Sequence, residues 1–123
     1  MGLDMYIQRR VNGGQSEQVG YFRKFYALHD WIGIHVGEVE NLAPVVLSEE
    51  VLQNLSMTLE NVMDCPELAR LTFPPEKNYG DIDPWYFHRV GTALELVWKL
   101  RMEASVALQE RGEVHELEYV AWW

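Results

Sequence analysis

A chain of 123 residues, 48% apolar and 12% aromatic, supplies one ordinary domain and its core. This composition excludes a disordered chain, and no period in the sequence supports a repeat array. One cysteine, Cys65, excludes an internal disulfide. Without a leader-like start or an apolar run near the ~18 residues of a membrane span, it points to a reducing, cytoplasmic setting and no membrane. The formal net charge of −9 is uneven, since residues 38–83 carry ten acids against two bases. Such a field repels nucleic-acid backbones. It suits either a basic protein partner or a solvated face that keeps the chain soluble.

Leu3, Met5 and Ile7 alternate with Asp4, Tyr6 and Gln8, the two-residue period of a half-buried strand. Asn12, Gly13 and Gly14 accept positive φ and predict a turn, with residues 18–22 returning as the second arm of a hairpin. A helix is expected from near Arg23 to Gly37, with Phe22, Phe25, His29, Ile32 and Val36 on its inward stripe and Leu28 beside them. Residues 38–47, which include Pro44, read as a connection. Ser48 is placed as an N-cap before Glu49 and Glu50, and Val51, Leu55, Leu59 and Val62 carry an apolar stripe to Asp64. Pro66, Pro74 and Pro75 interrupt residues 65–82, which are expected as a long surface connection with one helical turn at 67–71. A connection of that length in a small domain points to function. Cys65 itself is expected as a small apolar residue near a helix end.

Asp83 as N-cap and Pro84 at the first helical position open a third helix, which should run to Arg111 and stop at Gly112. Two stripes, Phe87–Val90–Leu94–Val97–Arg101 and Trp85–Ala93–Leu96–Leu100, predict burial over much of its circumference. Residues 114–123 close the chain as a strand with His115, Leu117, Tyr119, Ala121 and Trp123 on one face. Its natural partner is the N-terminal strand, because an isolated hairpin is marginal. The expected fold is α+β, one domain over residues 1–123. An N-terminal hairpin and the C-terminal strand form a small antiparallel sheet, with three helices on one face.

Several groups carry chemistry. Arg23 and Lys24 at the expected start of a helix oppose its dipole, so a bound anion or a carboxylate such as Asp81 or Asp83 should answer them. His29 shares a stripe with Phe25 and Ile32, which suits a hydrogen-bonded core histidine as well as a site residue. Asp81 and Asp83, with Glu76 nearby, have the composition of a hard-cation site but lack the glycine and distal glutamate of a calcium loop, so no metal is assigned. Phosphate loops, dinucleotide fingerprints and nucleophile elbows are absent, so no cofactor is assigned and the catalytic residues are unknown. Trp122 and Trp123 must face opposite sides of their strand. If the second side of the sheet is uncovered, an exposed tryptophan there marks a protein contact or a homo-oligomer interface.

Four segments, Met1–Tyr6, Tyr21–Lys24 with His29–Trp31, Asp81–Phe87 and Tyr119–Trp123, together resemble a family of small uncharacterised proteins of bacteriophages and prophages. Its members begin MGLDMY and carry a Tyr-Trp-Arg-Lys block followed by Ile-His-x-Trp. Here Phe22 replaces the tryptophan, Leu28 replaces the isoleucine, and Val120, Ala121 and Trp122 replace a Gln-Ser-Ser run. The resemblance implies phage or mobile-element biology and a meeting of the four blocks in space, but no activity. Two functional readings follow. One is a phage-related interaction protein that binds a host or defence protein through its acidic surface and exposed aromatics, Trp123 among them. The other is a small enzyme or ligand-binding domain with a polar pocket built from Arg23, Lys24, His29, Asp81, Asp83 and Tyr86.

Overall fold

The computed structural model describes residues 2–75 and 81–123. Strand β1 (Asp4–Val11) turns into β2 (Glu17–Arg23), then come helix α1 (Tyr26–His35), a short strand β3 (Val45–Leu47) and helix α2 (Glu49–Asp64). A 3₁₀ turn (Pro66–Leu68) leads into the four-residue helix α3 (Ala69–Thr72), the long helix α4 (Pro84–Arg111) and strand β4 (His115–Trp122). The fold is α+β with one antiparallel sheet in the order β2-β1-β4-β3. The terminal strand pairs with β1 along its whole length, from Asp4 opposite Trp122 to Val11 opposite His115.

Two expectations about the layout need correction. The sheet has four strands, because Val45, Val46 and Leu47 pair with Tyr119, Glu118 and Leu117. Three residues after a proline give too short a pattern to read. They become a strand because β4 offers its second edge, and Leu42 N–H extends that contact to the Ala121 carbonyl at 2.8 Å. The helices number four among the described residues, since the expected turn at 67–71 resolves into a 3₁₀ turn followed by α3.

Alternation decides which side of the sheet is inside. Met5, Ile7, Phe22, Leu47, Leu117, Tyr119 and Ala121 join Leu28, Ile32, Leu55, Leu59, Val62, Val90 and Val97 of the helices in one core. Gly20 lies opposite Ile7 beside an irregularity in the β1–β2 register. A Cβ there would stand 2.5 Å from Leu96 Cδ2, so glycine permits the close approach of α4. The other side carries Tyr6, Tyr21, Val46, Val120 and Trp122, with Tyr21, Val46 and Trp122 about half exposed.

The helix ends follow their local chemistry. Ser48 Oγ accepts Val51 N–H at 3.2 Å, and Asp83 accepts Tyr86 N–H at 2.9 Å. Gly112 ends α4 in the left-handed region at φ 66. The buried residues of α4 are Tyr86, Val90, Ala93, Val97, Leu100 and Ala107. That is one main stripe, with Phe87, Leu94 and Leu96 half-buried beside it, whereas Trp85 is 63% exposed. The expectation of two buried stripes is therefore too strong. Cys65 sits at the end of α2 as expected, but it is exposed and its thiol donates to Glu67 at 3.0 Å. That hydrogen bond raises the thiol pKa.

Candidate functional site

The segment from Arg23 to Tyr26 is where the structure departs most from the sequence reading. Arg23 is the last residue of β2, and helix α1 begins only at Tyr26. Between them Lys24 adopts φ 54, a left-handed conformation that costs a side-chain-bearing residue about 1 kcal/mol. The two cations therefore precede the helix and do not occupy its first turn. Their conflict with the dipole, inferred from periodicity alone, does not exist.

The anchor of this segment is Arg89, in the second turn of α4. Its guanidinium donates to the Lys24 carbonyl at 3.2 Å and to the Arg23 carbonyl, and stands 4.5 Å over the Phe25 ring. From the other side, Lys24 N–H bonds the Leu3 carbonyl at 2.7 Å, and Gly2 lies against the Arg23 and Lys24 side chains. The backbone of the bend is thus fixed, and the two cationic side chains project from it. Both are exposed, and neither forms an ion pair among the described residues.

Two clefts share the wall made by Lys24, Trp85 and Arg89. The first, of about 320 Å³, is also lined by Tyr26, Pro75, Asp81, Asp83 and Tyr86. The second, of about 480 Å³, adds Tyr21, Phe22, Arg23, His88 and Thr92. Carboxylates line the first cleft, and none among the described residues lines the second. On the neighbouring strand Asp4 lies opposite Arg23, and it already accepts the Tyr21 hydroxyl at 2.7 Å. Trp85 and His88 stack at 5.4 Å with their planes 20° apart. The second cleft therefore presents three guanidinium or ammonium groups and a broad aromatic surface.

The expected pocket is assembled in part. Lys24, Asp81, Asp83 and Tyr86 converge on the first cleft, and Arg23 joins through the second. Tyr86 is a scaffold: its hydroxyl donates to the buried Phe73 carbonyl at 2.6 Å, and burial pushes its pKa up to about 12. Asp83 is occupied as the cap of α4. His29 lies elsewhere, half-buried, with Nδ1 2.6 Å from the hydroxyl of the fully buried Tyr119 and its ring 5.6 Å from that of Trp123. Burial lowers the His29 pKa and raises that of Tyr119, so the hydrogen bond joins a neutral imidazole to a protonated hydroxyl. That pair, with Trp123, closes the chain terminus onto α1. Trp123 N–H adds a bond to Asn41 at 3.0 Å.

Sequence reasoning missed Arg89, Trp85 and His88. Their one signal is spacing, since residues 85, 88 and 89 share one face of a helix. Nothing in that spacing says the face meets the β2–α1 bend. Of the four sequence segments, three contribute residues to this region, through Gly2 and Leu3, Arg23 and Lys24, and Asp81 to Tyr86, whereas Tyr119 and Trp123 meet His29 away from both clefts. Glu76, considered with Asp81 and Asp83 for a hard cation, lies outside the described residues. Among the described residues no group of three or more His, Cys, Asp and Glu side chains could hold a metal ion. No helix among them is long and apolar enough to cross a membrane.

Comparison with known proteins gives no relative: no protein-family model matches the chain, and no curated protein or solved structure does.

Proposed function

We propose that this chain is a small binding protein that captures an anionic group joined to a flat or apolar body, in the cleft formed by Arg23, Lys24, Trp85, His88 and Arg89. The observation that carries this reading is a pair of cations with no ion-pair partner among the described residues, beside an exposed indole, in a cleft that no described carboxylate lines, on a chain of net charge −9. A phosphate or carboxylate there would receive charge-assisted hydrogen bonds from Arg23 and Lys24 while its ring lay on Trp85. A compact anion suits the site better than a polyanion. Salt screens charges beyond about 8–10 Å, so a small ligand feels the local cations, whereas a nucleic acid would also meet the acidic surroundings. The phage-related resemblance supplies a context for this binding role and does not name its ligand.

Titration with phenyl phosphate and with inorganic phosphate, followed by calorimetry and tryptophan fluorescence, tests the reading. Phenyl phosphate should bind more tightly, and Trp85→Ala should remove its advantage. Arg23→Ala and Lys24→Asn should each weaken both ligands about tenfold, the loss expected for one charged hydrogen bond. Asparagine is chosen at 24 because it tolerates the left-handed backbone. Absence of saturable binding, or binding indifferent to Arg23 and Lys24, refutes the reading.

A second reading, a docking protein for a macromolecular partner, draws on the uncovered sheet face, where Tyr21, Val46 and Trp122 stand in the open beside Tyr6 and Val120. The acidic surface first invoked for that role is less concentrated than the sequence implied. Glu49 and Asp64 stand at opposite ends of α2, about 22 Å apart. Glu49 also bonds Arg101 at 2.8 Å, and Glu60 accepts the Trp98 indole at 2.9 Å.

A further inference from the structure

The sheet ends at β2, which pairs with β1 alone in the order β2-β1-β4-β3. Its other edge borders the second cleft, with Tyr21, Phe22, Arg23 and Lys24 on one side and Trp85, His88, Arg89 and Thr92 of α4 on the other. Two hydrogen bonds fix which backbone groups turn to that edge. Lys24 N–H bonds the Leu3 carbonyl at 2.7 Å, one step beyond the pairing of Asp4 with Arg23. Opposed residues of an antiparallel pair alternate between bonded and unbonded, so Phe22 and Gly20 also turn toward β1, whereas Arg23 and Tyr21 turn away from it. The Arg23 carbonyl bears out this phase by accepting from Arg89 across the cleft. The Tyr21 N–H, the Tyr21 carbonyl and the Arg23 N–H then face the cleft with no partner among the described residues. The regular edge is short, because the register passes from Gly20 to Gln18 and leaves Val19 unpaired.

We infer that the second cleft takes the C-terminal end of a polypeptide, added to β2 as a short parallel strand whose terminal carboxylate meets Arg23 and Lys24. The inference rests on the anion reading and names its ligand class. In a parallel pair the free groups of Tyr21 and Arg23 are answered in turn. The carbonyl two residues before the chain end accepts the Tyr21 N–H. The last residue donates its N–H to the Tyr21 carbonyl, and its carboxylate accepts the Arg23 N–H. Any further residue would need the Arg23 carbonyl, which Arg89 already occupies, so the added strand stops where the cations stand. An antiparallel strand would bring its amino end there instead, against like charge. Neighbouring strands share their alternation, so the last side chain lies on the face of Phe22, which is the face that packs against α4. It is thereby carried toward Trp85, which is 63% exposed and stacked on His88. The carboxylate is the anionic group of the ligand, and the terminal side chain is its flat or apolar body.

The test titrates the whole ¹⁵N-labelled protein with acetyl-glycyl-seryl-phenylalanine, with its C-terminal amide, and with the same acid methylated at the phenylalanine nitrogen. The free acid should saturate and move the Tyr21 and Arg23 backbone amide protons downfield. The C-terminal amide and the N-methyl acid should each bind about tenfold more weakly, since one lacks the charged acceptor and the other the donor to Tyr21. Exchanging the peptide's phenylalanine for alanine should cost about fivefold with the wild type and little with Trp85→Ala. Binding of phenyl phosphate without binding of the free acid overturns this inference and leaves the anion reading standing, whereas failure of both ligands removes both. Equal binding of the acid and either derivative, or static Tyr21 and Arg23 amides at saturation, overturns the added strand.

Discussion

Replacing Arg89 with alanine removes the side chain of α4 that hydrogen-bonds the β2–α1 bend among the described residues. Its guanidinium donates to two carbonyls and lies over Phe25 at 4.5 Å. A hydrogen bond from a charged donor contributes about 1.5–3 kcal/mol when well buried. Arg89 is only half-buried, and water can replace it at both carbonyls, so about 1 kcal/mol for each bond is the better figure. The ring contact adds about 0.5–1 kcal/mol. The expected loss is then about 2.5–3 kcal/mol, part of which holds Lys24 in its left-handed conformation. Urea denaturation followed by tryptophan fluorescence reads it directly. With a slope of about 1.5 kcal/mol per molar urea, the midpoint should fall by about 1.7–2 M. Arg89→Lys should recover little, because an ammonium cannot fork to two carbonyls while lying flat on a ring. A midpoint within about 0.3 M of the wild type would show that the bend is held by something else, and the argument for a preorganised cleft would go with it.

Other changes probe separate parts of the structure. Asp83→Ala should cost about 1 kcal/mol of stability by removing the cap of α4, whereas Asp83→Asn should cost little. Equal losses in the two variants would mean that the carboxylate charge matters beyond capping. Leu59→Ala, at a fully buried site of α2, should lower stability by about 2–5 kcal/mol, and a loss below about 1 kcal/mol would contradict its place in the core. Because burial lowers the His29 pKa below its ordinary 6.5, the unfolded chain binds the extra proton. The stability His29 contributes is therefore complete above pH 6.5 and is lost as the pH falls through the folded-state value. Asp30 opposes the shift and Tyr119 and Trp123 face the ring, so His29→Gln should flatten the urea midpoint between pH 7.5 and 5 relative to the wild type. Identical slopes in the two proteins would refute the assignment.

The elements with strong local signals were legible in the chain. Asp83, Pro84 and Gly112 delimit α4 by capping chemistry that acts over a few residues, and the helix spans Pro84–Arg111 as they require. The alternation in residues 3–7 and 117–121 likewise marks which side chains of β1 and β4 face inward, whereas Trp123, expected on the same face, lies beyond β4 and is 43% exposed. A two-residue period leaves no other choice once one face is buried. Ser48 and the stripe from Val51 to Val62 fixed α2 in the same way.

What the sequence could not decide depends on groups far apart along the chain. Strand β3 exists because β4 has a free edge beside it, and three residues carry too little pattern to announce that. The start of α1 is not legible in the chain, because Phe22 and Phe25 fit a helical period although one lies near the end of a strand and the other just before the helix. Pairing of Arg23 with Asp4 on β1 settles the matter, a contact nineteen residues away. Arg89 is the clearest case: its partners are the carbonyls of Arg23 and Lys24, more than sixty residues earlier, and a backbone carbonyl leaves no trace in side-chain composition. Composition supplied the cations and aromatics of the candidate site. Only tertiary packing turned the bend, brought α4 against it and left Arg23 and Lys24 facing a cleft that no carboxylate among the described residues lines.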